Sequence, residues 1–173
     1  MVDFIKLFIN DAAPLKLEFN PLLNFFGKIN EDTGEVKATY SNGENVVTCR
    51  KAEYKDLTFT LYNNQTLIIS GSLHKYYNDG LHNYNDFNYS AFLLVLKDLK
   101  EKFNIEPKDC VLKCLEIGVN IIPPIATNTI LTNCYLHKTD PFVWQKNSNQ
   151  GKYKQVEHSQ YIIKIYNKAL HYI

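Results

Sequence analysis

Residues 90–103 constrain the fold most, because here alone apolar residues keep a helical spacing over several turns. Phe92, Val95, Leu96, Leu99 and Phe103 fall on one face, and Lys97, Asp98, Lys100, Glu101 and Lys102 fall on the other. Ser90 stands where an N-cap would accept the first free backbone N–H. The segments on either side read as strands. One amphipathic helix joining strands implies an α+β fold, an antiparallel sheet with one main crossover helix packed on one face. Within residues 66–122 the order is strand, polar loop, helix, strand, and the rest of the chain is organised around that unit.

Upstream, residues 2–9 alternate loosely as a buried first strand, and Asp11 to Pro14 break it. Residues 19–26 read as one or two helical turns around Pro21. A turn at 30–34 leads to a strand at 35–40. The Asn42-Gly43 pair supplies a tight turn, and a returning strand covers 46–49. Residues 54–62 alternate as one strand, and 66–70 follow as the next. Downstream of the helix, residues 115–122 alternate Leu115, Ile117, Val119, Ile121 against Glu116, Gly118, Asn120, and Pro123-Pro124 end the strand. Residues 127–136 fit a strand or a short helix. Residues 146–154 read as a hairpin tip and 161–166 as a last strand.

A chain of 173 residues with 45% hydrophobic residues is long enough for one domain over residues 1–173 and too apolar for disorder. Nineteen Lys plus Arg against eighteen Asp plus Glu give a formal net charge of +1, which argues against nucleic-acid binding by bulk charge while permitting a local basic patch. Residues 1–10 carry Asp3 and Lys6 in a strand-like run and do not read as a signal peptide, and no apolar run reaches membrane-spanning length. A soluble, cytoplasmic protein is expected. Of the four cysteines, Cys110, Cys114 and Cys134 could join His137 in a zinc site, but unpaired thiols in a reducing compartment are the commoner outcome.

The loop 71–88 gathers His74, Lys75, Tyr76, Tyr77, Asp79, His82, Tyr84 and Asp86. Histidine and tyrosine rings in that density suit a partner surface, a metal or stacked bases. A connector whose rings pack back on the sheet is as good a reading. Glu116, sharing a strand face with Asn120, is a candidate ligand for a divalent metal, Mg²⁺ or Mn²⁺, although a lone glutamate on a solvated sheet face is the commoner case. Lys164, Tyr166 and Lys168 form a row able to hold phosphate beside a ring, or simply the solvated side of an edge strand. Gly-x-Ser-x-Gly, Walker and dinucleotide signatures are absent from the sequence, and seven scattered glycines make no phosphate cradle.

Three segments together, SGSLHKYYNDGLHNYNDF, LEIGVNI and IKIYNKALHY, resemble the N-terminal half of rolling-circle replication initiators of Bacteroidetes plasmids and phages, a group similar to filamentous-phage gene II proteins. The resemblance covers residues 60–122 and 160–172. It implies a metal-side carboxylate at Glu116, with Tyr166 and Lys168 nearby and His74 and His82 in a loop over the sheet. It also implies a chain truncated relative to the family and lacking the nucleophilic tyrosine, and Asn167 stands where the family's IYDK segment has aspartate. The expected function is a nucleic-acid-associated binding protein of a phage or plasmid, with single-stranded or hairpin DNA, or guide RNA, as partner. An inhibitor of a host defence nuclease of the anti-CRISPR type is the alternative, and an active metal-dependent DNA nickase is a third.

Overall fold

The computed structural model describes residues 2–26, 40–42, 45–47, 49–147 and 151–168. The fold is α+β, with a five-stranded antiparallel sheet and a helix packed on it. The chain divides into two compact units, Met1–Val119 and Asn120–Ile173. The boundary escapes a sequence reading because it lies in an apolar run, not in a Gly- or Ser-rich linker. Val119 is 78% exposed and Ile122 is 97% exposed.

In the first unit, β1 (Val2–Ile9), β4 (Cys49–Tyr54), β5 (Leu57–Tyr62), β6 (Leu67–Gly71) and β7 (Val111–Ile117) form the sheet in the order β4-β5-β6-β1-β7. A separate antiparallel pair is formed by β2 (Tyr40–Asn42) and β3 (Asn45–Val47), with Asn42 opposite Asn45 as the last residue of β2, while Gly43 of the expected Asn42-Gly43 turn lies outside the described residues. The strand expected at 35–40 falls mostly outside the described residues, as does the turn at 30–34. Residues 17–19 make a single 3-10 turn and Phe26 bridges to Lys51, which replaces the helical turns expected across 19–26.

The expected strand 54–62 is broken in two. Lys55 and Asp56 both adopt positive φ, 48° and 69°, so the chain reverses there, and Tyr54 pairs with Leu57 across a two-residue turn. A primed turn of this kind usually carries Asn-Gly. Lys-Asp gives no such signal, and the alternation runs through it undisturbed.

Helix α2 (Tyr89–Phe103) starts one residue before the expected cap, with Asn88 accepting from the Ala91 N–H at 3.0 Å. Its buried ridge is Ala91, Val95, Leu99 and Phe103, a strict i, i+4 row laid over Ile5, Phe59, Leu67 and Ile69 of the sheet. Phe92 and Leu96 sit half-buried beside that ridge and line an apolar groove of about 270 Å³ with Ile105, Cys110, Leu112 and Leu115. Burial, followed by the charge of Asp109, pushes the Cys110 thiol up, so it is a poor nucleophile.

A polar clamp closes the far end of α2. Tyr76, 2% exposed, donates its hydroxyl to Asp98 at 2.7 Å, and Lys102 donates to the same carboxylate oxygen at 2.8 Å. Burial and then the bond to Asp98 raise the Tyr76 phenol far above its usual range. Burial works against the Asp98 carboxylate, but the hydrogen bonds from Lys102 and Tyr76 outweigh it and hold the group below the ordinary carboxylate range. A carboxylate so depressed stabilises the fold above its unfolded pKa and loses that contribution as pH falls through its folded value. Asp98→Asn should therefore lower the melting temperature at pH 7 and flatten the acid limb of a Tm-against-pH curve. Parallel curves for the two proteins would show that the clamp carries no charge-dependent stability.

In the second unit, α3 (Thr127–Asn133) is helical, which resolves the ambiguity at 127–136. A short ladder pairs β8 (Leu136–His137) with β9 (Asp140–Pro141). A three-stranded antiparallel sheet follows in the order β10 (Val143–Asn147), β11 (Gly151–Glu157), β12 (Ile162–Tyr166). Lys154 of β11 is only 4% exposed, yet it is well partnered. Its ammonium donates to the carbonyls of Thr132 and Cys134 at 3.2 and 2.7 Å, at the C-terminal end of α3, and lies 5.0 Å from the Trp144 ring centroid. That covers one face of the small sheet. Among the described residues no helix is long and apolar enough to cross a membrane.

Candidate functional site

The loop 71–88 is more highly built than its composition suggests. Its first part is helical, α1 (Leu73–Tyr77), capped by Ser72, whose hydroxyl oxygen accepts from the Lys75 N–H at 3.1 Å. Asp56, at the β4–β5 turn, accepts from the Ser72 N–H at 3.3 Å and from the Lys75 ammonium at 3.1 Å. Asp3 accepts from both Ser72 and Asn83, and Asn78 and Asn85 exchange side-chain bonds at 2.7 and 3.0 Å. Asp3, Asp56 and the two asparagines thus fix the loop, and none of them stands out by residue type.

This scaffold sorts the ring-bearing candidates. His74 is fully buried, stacked on Phe87 at 4.9 Å and bonded through Nε2 to Asn85 at 2.7 Å, so it supports the loop from inside. Tyr76 is equally internal, as the Asp98 clamp requires. Lys75 is spent on Asp56. The outward rings are Tyr77, 42% exposed, and Tyr84, 64% exposed, the latter stacked on half-buried His82 at 3.9 Å. Nδ1 of His82 is buried without a hydrogen-bond partner. A test of this loop as a contact surface should therefore alter Tyr77 and Tyr84 and leave Tyr76 in place.

Glu116 lies on β7, opposite Phe4 of β1, and is exposed like every residue of that strand. The strand stops at Ile117, short of the expected 122, so Glu116 and Asn120 do not share it. Asn120 instead accepts from the Lys168 ammonium at 3.2 Å. Among the described residues no group of three or more His, Cys, Asp and Glu side chains converges as a metal cage.

The row at Lys164 and Tyr166 acquires neighbours that sequence order conceals. Register places Tyr166 opposite Tyr153, which is itself opposite Gln145, while Lys164 lies opposite Gln155, which lies opposite Val143. Opposed residues share a face and alternate residues along a strand do too. Tyr166, Tyr153, Gln145, Gln155, Lys164 and Val143 therefore occupy one face of the three-stranded sheet. It is the face opposite Lys154 and Val156, and so opposite α3. Tyr166 is 40% and Val143 54% exposed. Two phenol rings, two amides and a lysine on an open sheet can stack on planar groups, hydrogen-bond their edges and meet an anion. Tyr153, Gln145 and Gln155 carry no motif; only the pairing register reveals them.

Comparison with protein-family models, with characterised proteins and with solved structures finds no match to this chain.

Proposed function

We propose that this chain is a nucleic-acid-binding protein of a phage or plasmid that lays a single-stranded segment across the open face of its three-stranded sheet, and that it resembles part of a rolling-circle initiator without working as a complete nickase. The observation that carries the reading is the cross-strand pair Tyr153 and Tyr166, flanked by Gln145, Gln155 and Lys164. Base–aromatic stacking contributes about 1–3 kcal/mol per base and tolerates any sequence. A net charge of +1 leaves little bulk attraction, so stacking has to supply most of the affinity.

Fluorescence anisotropy with mixed-sequence single-stranded DNA and RNA tests this directly. Removing both rings, Tyr153→Ala with Tyr166→Ala, should weaken binding at least about 30-fold, from roughly 1 kcal/mol per lost stack. With two phosphate contacts, from Lys164 and Lys168, the slope of log K against log salt should be about −1.4. An affinity unchanged by the double substitution would sink the proposal. Glu116→Ala should bind normally. If it instead abolished a Mn²⁺-dependent nick in the same strands, the nickase reading would replace this one.

A protein partner, such as a host defence nuclease, is favoured by a different observation. Strand β7 is a sheet edge on which Leu112, Leu115 and Ile117 are 51%, 44% and 69% exposed, an arrangement open to strand addition. A pull-down whose captured protein survives nuclease treatment and is lost on Leu115→Lys would support that reading.

A further inference from the structure

A cluster of ionisable side chains in the second unit takes no part in the sheet face. His137, on β8, pairs with Asp140 of β9 across a turn in which Lys138 has φ 56°. His158 follows β11, and its N–H donates to the Tyr161 carbonyl at 2.9 Å to close the turn into β12. The two turns bring the rings together. Nε2 of His158 lies 2.9 Å from Nδ1 of His137, and Nδ1 of His158 lies 2.9 Å from the Asp140 carboxylate. Tyr161 packs its ring 4.6 Å from that of His158, leaving the His158 side chain 11% exposed, and accepts a hydrogen bond from Lys138 at 3.2 Å.

We propose that His137 and His158 form a two-imidazole binding site for a divalent transition-metal ion of the Zn²⁺ class, oriented by Asp140. A carboxylate only accepts, so Asp140 fixes the proton of His158 on Nδ1 and turns the Nε2 lone pair toward His137. Without metal, the Nδ1 proton of His137 fills the space between the rings. Moving that proton to Nε2 of His137 presents two lone pairs to one point. Zinc–imidazole bonds of about 2.0–2.1 Å in tetrahedral geometry need the nitrogens about 3.3 Å apart, an opening of roughly 0.4 Å from the present contact.

The carboxylate on the far nitrogen of His158 is the outer partner that metal-bound imidazoles ordinarily have. Imidazole nitrogen selects Zn²⁺, Cu²⁺ or Ni²⁺ over Mg²⁺. With no third His, Cys, Asp or Glu converging among the described residues, the protein supplies two ligands and leaves the other positions to water or an exogenous anion. The site is independent of the stacking face, and its test does not involve nucleic acid.

Titration of the full chain with ZnCl₂ by calorimetry should give one ion per chain. His137→Ala should abolish that binding, Asp140→Asn should weaken it about 10–100-fold, and Glu116→Ala should leave it unchanged. A second readout needs no variant: long-range ¹H–¹⁵N spectra of the native protein should show His137 protonated on Nδ1 without metal and on Nε2 with it. Equal affinity in the native and His137→Ala proteins, or a His137 tautomer unmoved by millimolar Zn²⁺, would overturn the proposal.

Discussion

Phe103→Ala is expected to destabilise the first unit by about 3–5 kcal/mol, in the upper range for loss of a buried aromatic ring. Phe103 is 1% exposed and closes the last turn of α2 against β5 and β4. Its ring centroid lies 5.0 Å from that of Phe59 and 5.4 Å from that of Tyr54, tilted against the first and edge-on to the second. The substitution removes ring contacts as well as buried area. The surrounding groups have little room to collapse into the space, since Phe59 is fully buried in the sheet. In urea, with a slope of about 1–3 kcal/mol/M, the midpoint should fall by roughly 2 M. A shift below about 0.5 M would mean that the helix is not seated on the sheet through this ring.

Gly71→Ala should be comparably damaging for a different reason. Gly71 ends β6 with φ +149°, and a Cβ there would stand 2.1 Å from the backbone carbonyl oxygen of Asp56. Backbone cannot swing aside as a side chain can, so either the β4–β5 turn or the start of α1 must shift. Asp56 ties those two together through Ser72 and Lys75, so the displacement would also loosen the base of the aromatic loop. A cost of about 3 kcal/mol is expected, from positive-φ strain together with overpacking. Gly80 gives the comparison, because its φ is +85° and the nearest atom to a built Cβ is 3.1 Å away. Gly80→Ala should cost about 1–2 kcal/mol, mostly left-handed strain. Equal effects at the two positions would show that conformation, and not the close approach to Asp56, sets the need for glycine at 71.

Local pattern was informative wherever a single element carried its own signal. The spacing from Phe92 to Phe103 marks α2, although its buried ridge runs through Ala91, whose small side chain hardly registers in a hydrophobic count. The alternation in residues 2–9 marks β1, which pairs with β6 on one side and β7 on the other. The turn at Lys55-Asp56 was illegible because its positive φ values are enforced by pairing on both sides and not by residue preference. Residues 118–122 alternate as well as any strand, yet β7 ends at Ile117, where its pairing with β1 ends at Val2. Alternation without a neighbour to hydrogen-bond does not make a strand.

The candidate sites divide in the same way. Residue type alone nominated His74 and Tyr76 for a contact surface, and burial made them internal supports. Tyr166 and Lys164 were nominated from β12 by itself, but Tyr153, Gln145 and Gln155 joined them only through strand register. The spacing of Cys110, Cys114, Cys134 and His137 offers a zinc site, whereas in the structure the Nδ1 of His137 meets His158, 21 residues on, with Asp140 behind it. By itself the sequence determined the α+β class, the place of its principal helix and strands such as β1, β6 and β12, because those follow from periodicities of a few residues. Which rings face outward, which carboxylates hold the loop and which histidines meet were decided by tertiary structure, because each depends on a register or a turn that brings together residues the chain keeps apart.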